Sequence, residues 1–129
     1  MGIHRRAFTQ ILAGFGLAVT TAPALAQAKT VEVSMGRGKM VFLPASVTIN
    51  VGDTVKWTNP AVVLHSVTFD PSMAAKPGNV ALPEGVAPFD SGDMQQDAVF
   101  SHTFTVKGTY KYICKMHEAM GMVGTVIVS

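Results

Sequence analysis

Residues 100–128 read FSHTFTVKGTYKYICKMHEAMGMVGTVIV, and this segment decides the fold. Its first part alternates apolar and polar residues with a period of two, which places Phe100, Phe104 and Val106 on one face. Lys107-Gly108 predicts a turn, after which one stretch is rich in aromatic residues and the last in β-branched residues. The segment therefore predicts three consecutive strands, with a longer loop between the second and the third.

The same alternation recurs upstream in four short segments, at residues 31–33, 47–49, 55–58 and 67–69. Residues 71–98 are rich in Pro and Gly and predict an irregular excursion. No stretch after residue 28 has a helical period over a dozen residues. About seven short strands at this spacing predict an all-β fold, a small antiparallel sandwich or barrel.

Composition narrows the class of protein. The chain has 129 residues, 48% hydrophobic and 14% charged, which is enough for one domain with a core. A single Cys excludes an internal disulfide framework and any four-Cys zinc or iron–sulfur site. A formal charge of +2 is too small to indicate a nucleic-acid partner, and no Gly-rich phosphate loop is present.

The first 26 residues predict an export signal. A short basic segment with Arg5 and Arg6 precedes an apolar stretch, and Ala24-Leu25-Ala26 supplies a small-residue cleavage site. Arg5-Arg6-Ala7-Phe8 also resembles the twin-arginine signal, although His4 and Thr9-Gln10 depart from that pattern. We expect cleavage after Ala26 and a periplasmic location, with export by the twin-arginine route.

Removal of residues 1–26 changes the charge of the predicted mature domain, residues 27–129. It takes away Arg5 and Arg6 and leaves eight basic against eight acidic residues. The mature domain is therefore formally neutral, and we expect it to be monomeric and to contain no membrane span.

One loop contains the residues that bind metals. Cys114, His117, Met120 and Met122 lie within nine residues, between two predicted strands that fix the ends of the loop. A thiolate and a thioether are soft ligands and an imidazole is intermediate. One more imidazole would complete the set, and His65, next to the predicted strand at 67–69, is the best candidate.

The ligand types favour copper over zinc. A Cys, two His and a weak axial Met describe a blue-copper electron-transfer site. Zinc accepts Cys and His as well, but its sites close with a strong fourth ligand or keep a water position. A zinc-binding structural domain therefore remains as a third interpretation, after copper electron transfer and copper storage.

Four stretches identify a family. The matching stretches are GDTVKWTN at 52–59, HSVTFD at 65–70, FDSG at 89–92, and GTYKYIC at 108–114 continued through His117 and Met122 to Val128. On these stretches the chain resembles the cupredoxins, in particular the branch of plastocyanin, pseudoazurin and amicyanin. Together the stretches span nearly all of residues 30–129. The resemblance implies an eight-stranded Greek-key sandwich with one copper ion near one end, bound by His65, Cys114, His117 and Met122.

Three details depart from the family pattern or leave a choice. Met122 is preferred as the axial ligand because Met120-Gly121-Met122 is similar to the pseudoazurin loop, but Met120 has the spacing of amicyanin-like proteins. Lys115-Met116 replaces the usual small residue and Pro. Ser66 stands where many relatives have Asn, whose hydrogen bonds tie the two ligand loops together; a hydroxyl replaces them in part.

The predicted function is one-electron transfer. Four protein ligands leave no open position for a substrate, so no catalysis at the metal is expected. By resemblance, the ring edge of His117 reaches the surface in an apolar patch where redox partner proteins dock, with Met35, Pro88, Met116 and Met120 as candidate members. A copper carrier, store or resistance module is the alternative, and His102 is expected to be structural.

Overall fold

The computed structural model describes residues 27–129 together with Gly14 and Gly16. The predicted export signal at residues 1–26 therefore lies outside the described residues, apart from those two glycines. The described chain forms nine strands: β1 (Thr30–Met35), β2 (Phe42–Leu43), β3 (Ser46–Ile49), β4 (Thr54–Thr58), β5 (Thr68–Phe69), β6 (Phe89–Asp90), β7 (Val99–Thr103), β8 (Gly108–Ile113) and β9 (Val123–Val128). Three single-turn 3-10 helices, Pro71–Met73, Pro77–Asn79 and Glu118–Met120, are the helical elements of this part.

The strands form two sheets, which confirms the predicted all-β sandwich. One sheet has the order β2-β1-β4-β7 and the other the order β3-β9-β8-β5-β6. The expectation of an antiparallel sandwich is wrong for two strand pairs, because β1 pairs with β4 and β3 with β9 in parallel. Both parallel pairs bring the beginning of the domain against later strands. The count exceeds the expected eight because two-residue strands are included.

Period-two patterning explains which side of each strand is buried. In β4, Val55 and Trp57 are buried and their neighbours are half-exposed. In β9, Val126 and Val128 are buried while Ile127 points outward. Alternate side chains of a strand face opposite sides of its sheet, so each sheet presents one apolar face to the other.

Aromatic rings fill the centre of the sandwich. Phe69 stacks on Tyr112 with ring centroids 4.7 Å apart, and Trp57 meets Tyr112 edge-on at 5.5 Å. The Trp57 Nε1–H donates to the Tyr112 hydroxyl over 3.0 Å, which satisfies the polar atoms of two fully buried rings. Burial raises the pKa of Tyr112, so this hydroxyl stays neutral.

Two segments show where the sequence pattern stops describing the structure. Val106 is exposed, although it shares the period of Phe100 and Phe104, because β7 ends at Thr103 and the chain turns there. Residues 71–98 are mostly irregular, as predicted, but they include β6 and a bridge from Ala81 to Lys111. Among the described residues, no helix has the length and apolar character needed to span a membrane.

Candidate metal centre

His65 lies three positions before the first residue of β5. It is fully buried, and its backbone pairs with Met94 through two hydrogen bonds of 3.2 and 2.8 Å. Burial lowers the pKa of His65, and the nearby His117 ring lowers it further. Both effects favour the neutral imidazole, which is the form that binds a metal through one ring nitrogen. Its Nε2 has no hydrogen-bond partner among the described residues.

Asn59 organises the turn that leads to His65. Its Nδ2 donates to the Val63 and Met94 carbonyls, each over 2.9 Å, and its Oδ1 accepts the Ala61 N–H. The side chain is fully buried, so these bonds hold the turn in place from inside. In the sequence, Asn59 stands out only as the last residue of the matching stretch at 52–59.

The second ligand loop connects β8 to β9. The Cys114 N–H donates to the Met122 carbonyl over 3.0 Å, and the His117 and Met122 N–H groups donate to Cys114 and His117 carbonyls. One 3-10 turn, Glu118–Met120, lies between, and it ends at Gly121 with φ +82°. Because a positive φ suits glycine, Gly121 lets the chain turn back toward β9.

Three side chains predicted as ligands converge on one point. The Cys114 Sγ lies 3.6 Å from Nδ1 of His65 and 3.4 Å from Nδ1 of His117. One donor atom from each residue falls within 4.8 Å of the others, and no further His, Cys, Asp or Glu of the described chain joins this cluster. Two donors held by one ion at about 2.0–2.3 Å and tetrahedral angles lie about 3.6 Å apart, so the spacing fits a shared metal.

The two candidate methionines differ sharply in burial. Met122 is fully buried and packs in the same apolar cluster as Cys114, whereas Met120 is 71% exposed. Together with a cysteine sulfur and two imidazoles, a buried thioether would make a soft donor set, which suits copper better than zinc. The donor chemistry of the site therefore fits a copper ion.

Ser66 joins the two ligand loops. Its N–H points to the Cys114 Sγ over 3.4 Å, and its hydroxyl accepts the Lys115 N–H over 2.9 Å. A hydroxyl thus makes the cross-loop contact expected at this position. A hydrogen bond to the sulfur is one of the factors that tune the redox potential of such a site.

Glu118 is a second anchor of the loop, and sequence analysis missed it. Its carboxylate is buried and accepts N–H groups of Ala75 and Lys76 at 2.7 and 3.0 Å, together with the Asn79 amide at 3.1 Å. The hydrogen bond from Lys76 is the main cause of its lowered pKa, since it outweighs burial. Its partners lie about forty positions earlier, so no local pattern marks it.

The surface near His117 is partly apolar. His117 is half-exposed, and Met116 and Met120 are exposed around it. Pro88 is exposed too, but Met35 is fully buried in the core and the expectation that it joins a docking patch is wrong. His102 stacks on Phe89 with ring centroids 3.9 Å apart, which agrees with a structural role.

Comparisons with known proteins agree with this geometry. The family described as copper-binding proteins of the plastocyanin/azurin family matches residues 29–129. A chloroplastic plastocyanin of Tetradesmus obliquus is 39% identical over 121 residues, covering 91% of this chain and 74% of that protein. A reduced amicyanin variant superposes with a TM-score of 0.61 at 31% identity, covering 78% of this chain and 82% of its own. A purple cupredoxin of Nitrosopumilus maritimus gives 0.59 at 27% identity, covering 76% and 98%.

Proposed function

The chain belongs to the plastocyanin/azurin family of copper-binding proteins, and from this premise we propose that His65, Cys114, His117 and Met122 bind its copper. The protein is a type 1 copper electron carrier with one copper ion. Copper supplies the one-electron Cu(I)/Cu(II) couple when it is bound. The sandwich would hold the donors in one arrangement for both oxidation states of the ion.

The observation that carries the ligand assignment is the position of the Cys114 sulfur. It lies between two imidazole Nδ1 atoms at 3.4–3.6 Å, and it accepts a hydrogen bond from a buried backbone N–H. This sulfur is shielded from solvent, because Cys114 is fully buried. Four protein donors leave no open position for a substrate, so we propose that the protein is not an enzyme.

Met122 is the proposed axial ligand. It is fully buried, and its backbone is hydrogen-bonded to both Cys114 and His117. Met120 lies on the 3-10 turn with most of its side chain in solvent. A weak axial thioether needs a fixed position to influence the potential, and burial supplies that position.

Electron exchange is proposed to occur at the exposed side of His117. His65 and Cys114 are fully buried, whereas His117 is half-exposed beside Met116 and Met120. Redox partner proteins would dock there in small, short-lived contacts, which suit a monomeric carrier. The formal neutrality of residues 27–129 favours an apolar over a charged docking face.

The carrier is proposed to act after export. Residues 1–26 have the composition of a signal peptide with a twin-arginine-like start, and cleavage after Ala26 leaves residues 27–129. The family match begins at residue 29, just after this predicted site. A periplasmic location is therefore proposed, with the twin-arginine route delivering a folded domain.

Visible and EPR spectra of residues 27–129 with one equivalent of Cu(II) test the function. We expect an intense sulfur-to-copper band and narrow copper hyperfine splitting. Met122→Leu should shift both, while Met120→Leu, the matched control in the same loop, should leave them unchanged. A pale Cu(II) spectrum would favour the copper storage module instead, and a colourless metal-loaded protein would favour zinc. A shift confined to Met120→Leu would overturn the axial assignment alone.

A further inference from the structure

A chain of hydrogen bonds leads from the ligand loop to a carboxylate on β6. The Lys115 N–H donates to the Ser66 hydroxyl over 2.9 Å. That hydroxyl lies 2.9 Å from the Thr68 hydroxyl, which in turn donates to Asp90 Oδ1 over 2.6 Å. Ser66 and Thr68 are fully buried, so water does not compete for these bonds.

The direction of every bond in this chain follows from the donor inventory. An ionised carboxylate only accepts hydrogen bonds, so the Thr68 hydroxyl must donate its one hydrogen bond to Asp90. Ser66 must then donate to Thr68, and its lone pairs remain to accept the Lys115 N–H. All donors point toward the carboxylate, and bonds aligned in this way strengthen one another.

The charge at the end of the chain is balanced by the residue at its beginning. The Lys115 ammonium lies 3.6 Å from Asp90 Oδ2, which also accepts the Gly92 N–H over 3.0 Å. The contacts thus form a closed ring: the Lys115 backbone is bonded to Ser66, Ser66 to Thr68 and Thr68 to Asp90, and Asp90 is paired with the Lys115 side chain. The same ammonium also lies 3.2 Å from Asp93, which is more exposed than Asp90 and contacts no member of the chain of hydroxyls.

We propose that Asp90 is a positioning residue of the copper site, acting on the Cys114 sulfur through Thr68 and Ser66. The chain of hydrogen bonds orients the Ser66 hydroxyl and so holds Ser66 in place. The backbone N–H of Ser66 points to the Cys114 Sγ over 3.4 Å. The ring also fixes Lys115, which directly follows Cys114. Asp90 therefore takes part in the task that a single Asn performs in many relatives. The effect on copper rests on the proposed function, whereas the ring itself belongs to the copper-free chain.

Amide hydrogen exchange in the copper-free chain tests the ring directly. Asp90→Ala should raise the hydrogen-exchange rates of the Ser66 and Lys115 amides by about tenfold or more, because their hydrogen-bond partners lose orientation. Asp93→Ala is the matched control, since it removes a carboxylate from the same ammonium without touching the hydroxyls. Equal exchange rates in the two variants would overturn the proposal.

Two further variants separate the hydroxyl chain from the stability of β5. Thr68→Val keeps the shape but cuts the chain, so it should reproduce the effect of Asp90→Ala. Thr68→Ser keeps a hydroxyl and should restore the rates of the unaltered chain. Failure of Thr68→Val to raise exchange, or failure of Thr68→Ser to restore it, would count against the chain.

The copper-loaded protein gives the second readout. A sulfur with a weakened hydrogen bond donates more charge to Cu(II), so Asp90→Ala and Thr68→Val should shift the sulfur-to-copper band and lower the reduction potential. Copper affinity should fall about tenfold or more. Asp93→Ala should leave the band, the reduction potential and the copper affinity unchanged. A missing blue spectrum in the unaltered chain would overturn the proposed function alone, because the exchange experiment needs no copper. Unchanged spectra in Asp90→Ala would overturn the positioning role of Asp90.

Discussion

The aromatic core and the ligand loop are held together by different means. In the core, Trp57, Phe69 and Tyr112 lie in strands, and each ring packs against several others. The ligand loop has one 3-10 turn of its own and depends on distant polar groups, with Glu118 on one side and Ser66 on the other. Packing is spread over many contacts, whereas polar anchoring depends on a few atoms. Core changes should therefore lower the free energy of unfolding, and loop changes should alter the site at a smaller loss of stability.

The largest effect is expected for Trp57→Ala. It removes a fully buried ring and leaves the Tyr112 hydroxyl without its donor, so the free energy of unfolding should fall by about 3–5 kcal/mol. Urea unfolding of the copper-free chain measures it. Val99→Ala, at an exposed strand position, is the control and should stay within about 0.5 kcal/mol. A loss below about 1 kcal/mol for Trp57→Ala would contradict the account of the core.

Gly124→Ala should come next, at about 3 kcal/mol. A Cβ at this position of β9 would lie 2.3 Å from Cζ of Tyr112, whose ring cannot move because Phe42 and Phe69 pack on it. Gly78→Ala is the control, since nothing lies within 4 Å of its added Cβ. The two urea midpoints should separate clearly. Equal midpoints would mean that the ring yields and that the core is looser than its contacts indicate.

Glu118→Gln tests the loop side of the comparison. One amide oxygen cannot accept all three donors, so the free energy of unfolding should fall by about 1–2 kcal/mol. The blue band and the rate of copper loss to a chelator should change by more than this stability loss alone explains. Exposed Glu84→Gln is the control. A stability loss as large as that of Trp57→Ala would break the distinction between loop and core.

Asp53 extends the comparison to a polar anchor outside the ligand loop. Its carboxylate accepts the Lys29 and Asn50 N–H groups, each over 2.9 Å, and the bond from Lys29 is the main cause of its lowered pKa. A lowered folded-state pKa stabilises the fold above the ordinary value of 3.8, and this contribution is lost as the pH falls through the folded-state pKa. Urea midpoints between about pH 5 and 2 should fall less steeply for Asp53→Asn than for the unaltered chain. Parallel curves would assign the acid sensitivity to other carboxylates. Read as a difference in the acid slope of these midpoints, the effect should be the smallest of the four.

The sequence predicted the parts of the molecule that local patterns encode. Period-two alternation located most strands, and the spacing of Cys114, His117 and Met122 located the loop that holds them. His65 was found because it lies next to the predicted strand at 67–69 and its imidazole would complete the donor set, and the structure places it 3.6 Å from the Cys114 sulfur. Val106 shows the limit, because alternation does not tell where a strand ends.

The polar anchors could not be predicted in this way. Glu118 contacts residues 75–79 and Asp90 reaches Ser66 through Thr68, so each depends on how distant segments come together. Parallel pairing of β1 with β4 has the same cause. Alternation gives the face of a strand but not its partner, since the partner is chosen by the packing of the whole sandwich.

The hydrogen bond between the Cys114 N–H and the Met122 carbonyl closes the ligand loop at its base. Beyond this base, β8 and β9 are paired in register from Ile113 and Val123 onward. Insertions or deletions between 115 and 121 would change the length of the loop without moving its base, and a few extra residues add little closure entropy. Natural variation could therefore retune the metal site through loop length while the sandwich stays the same.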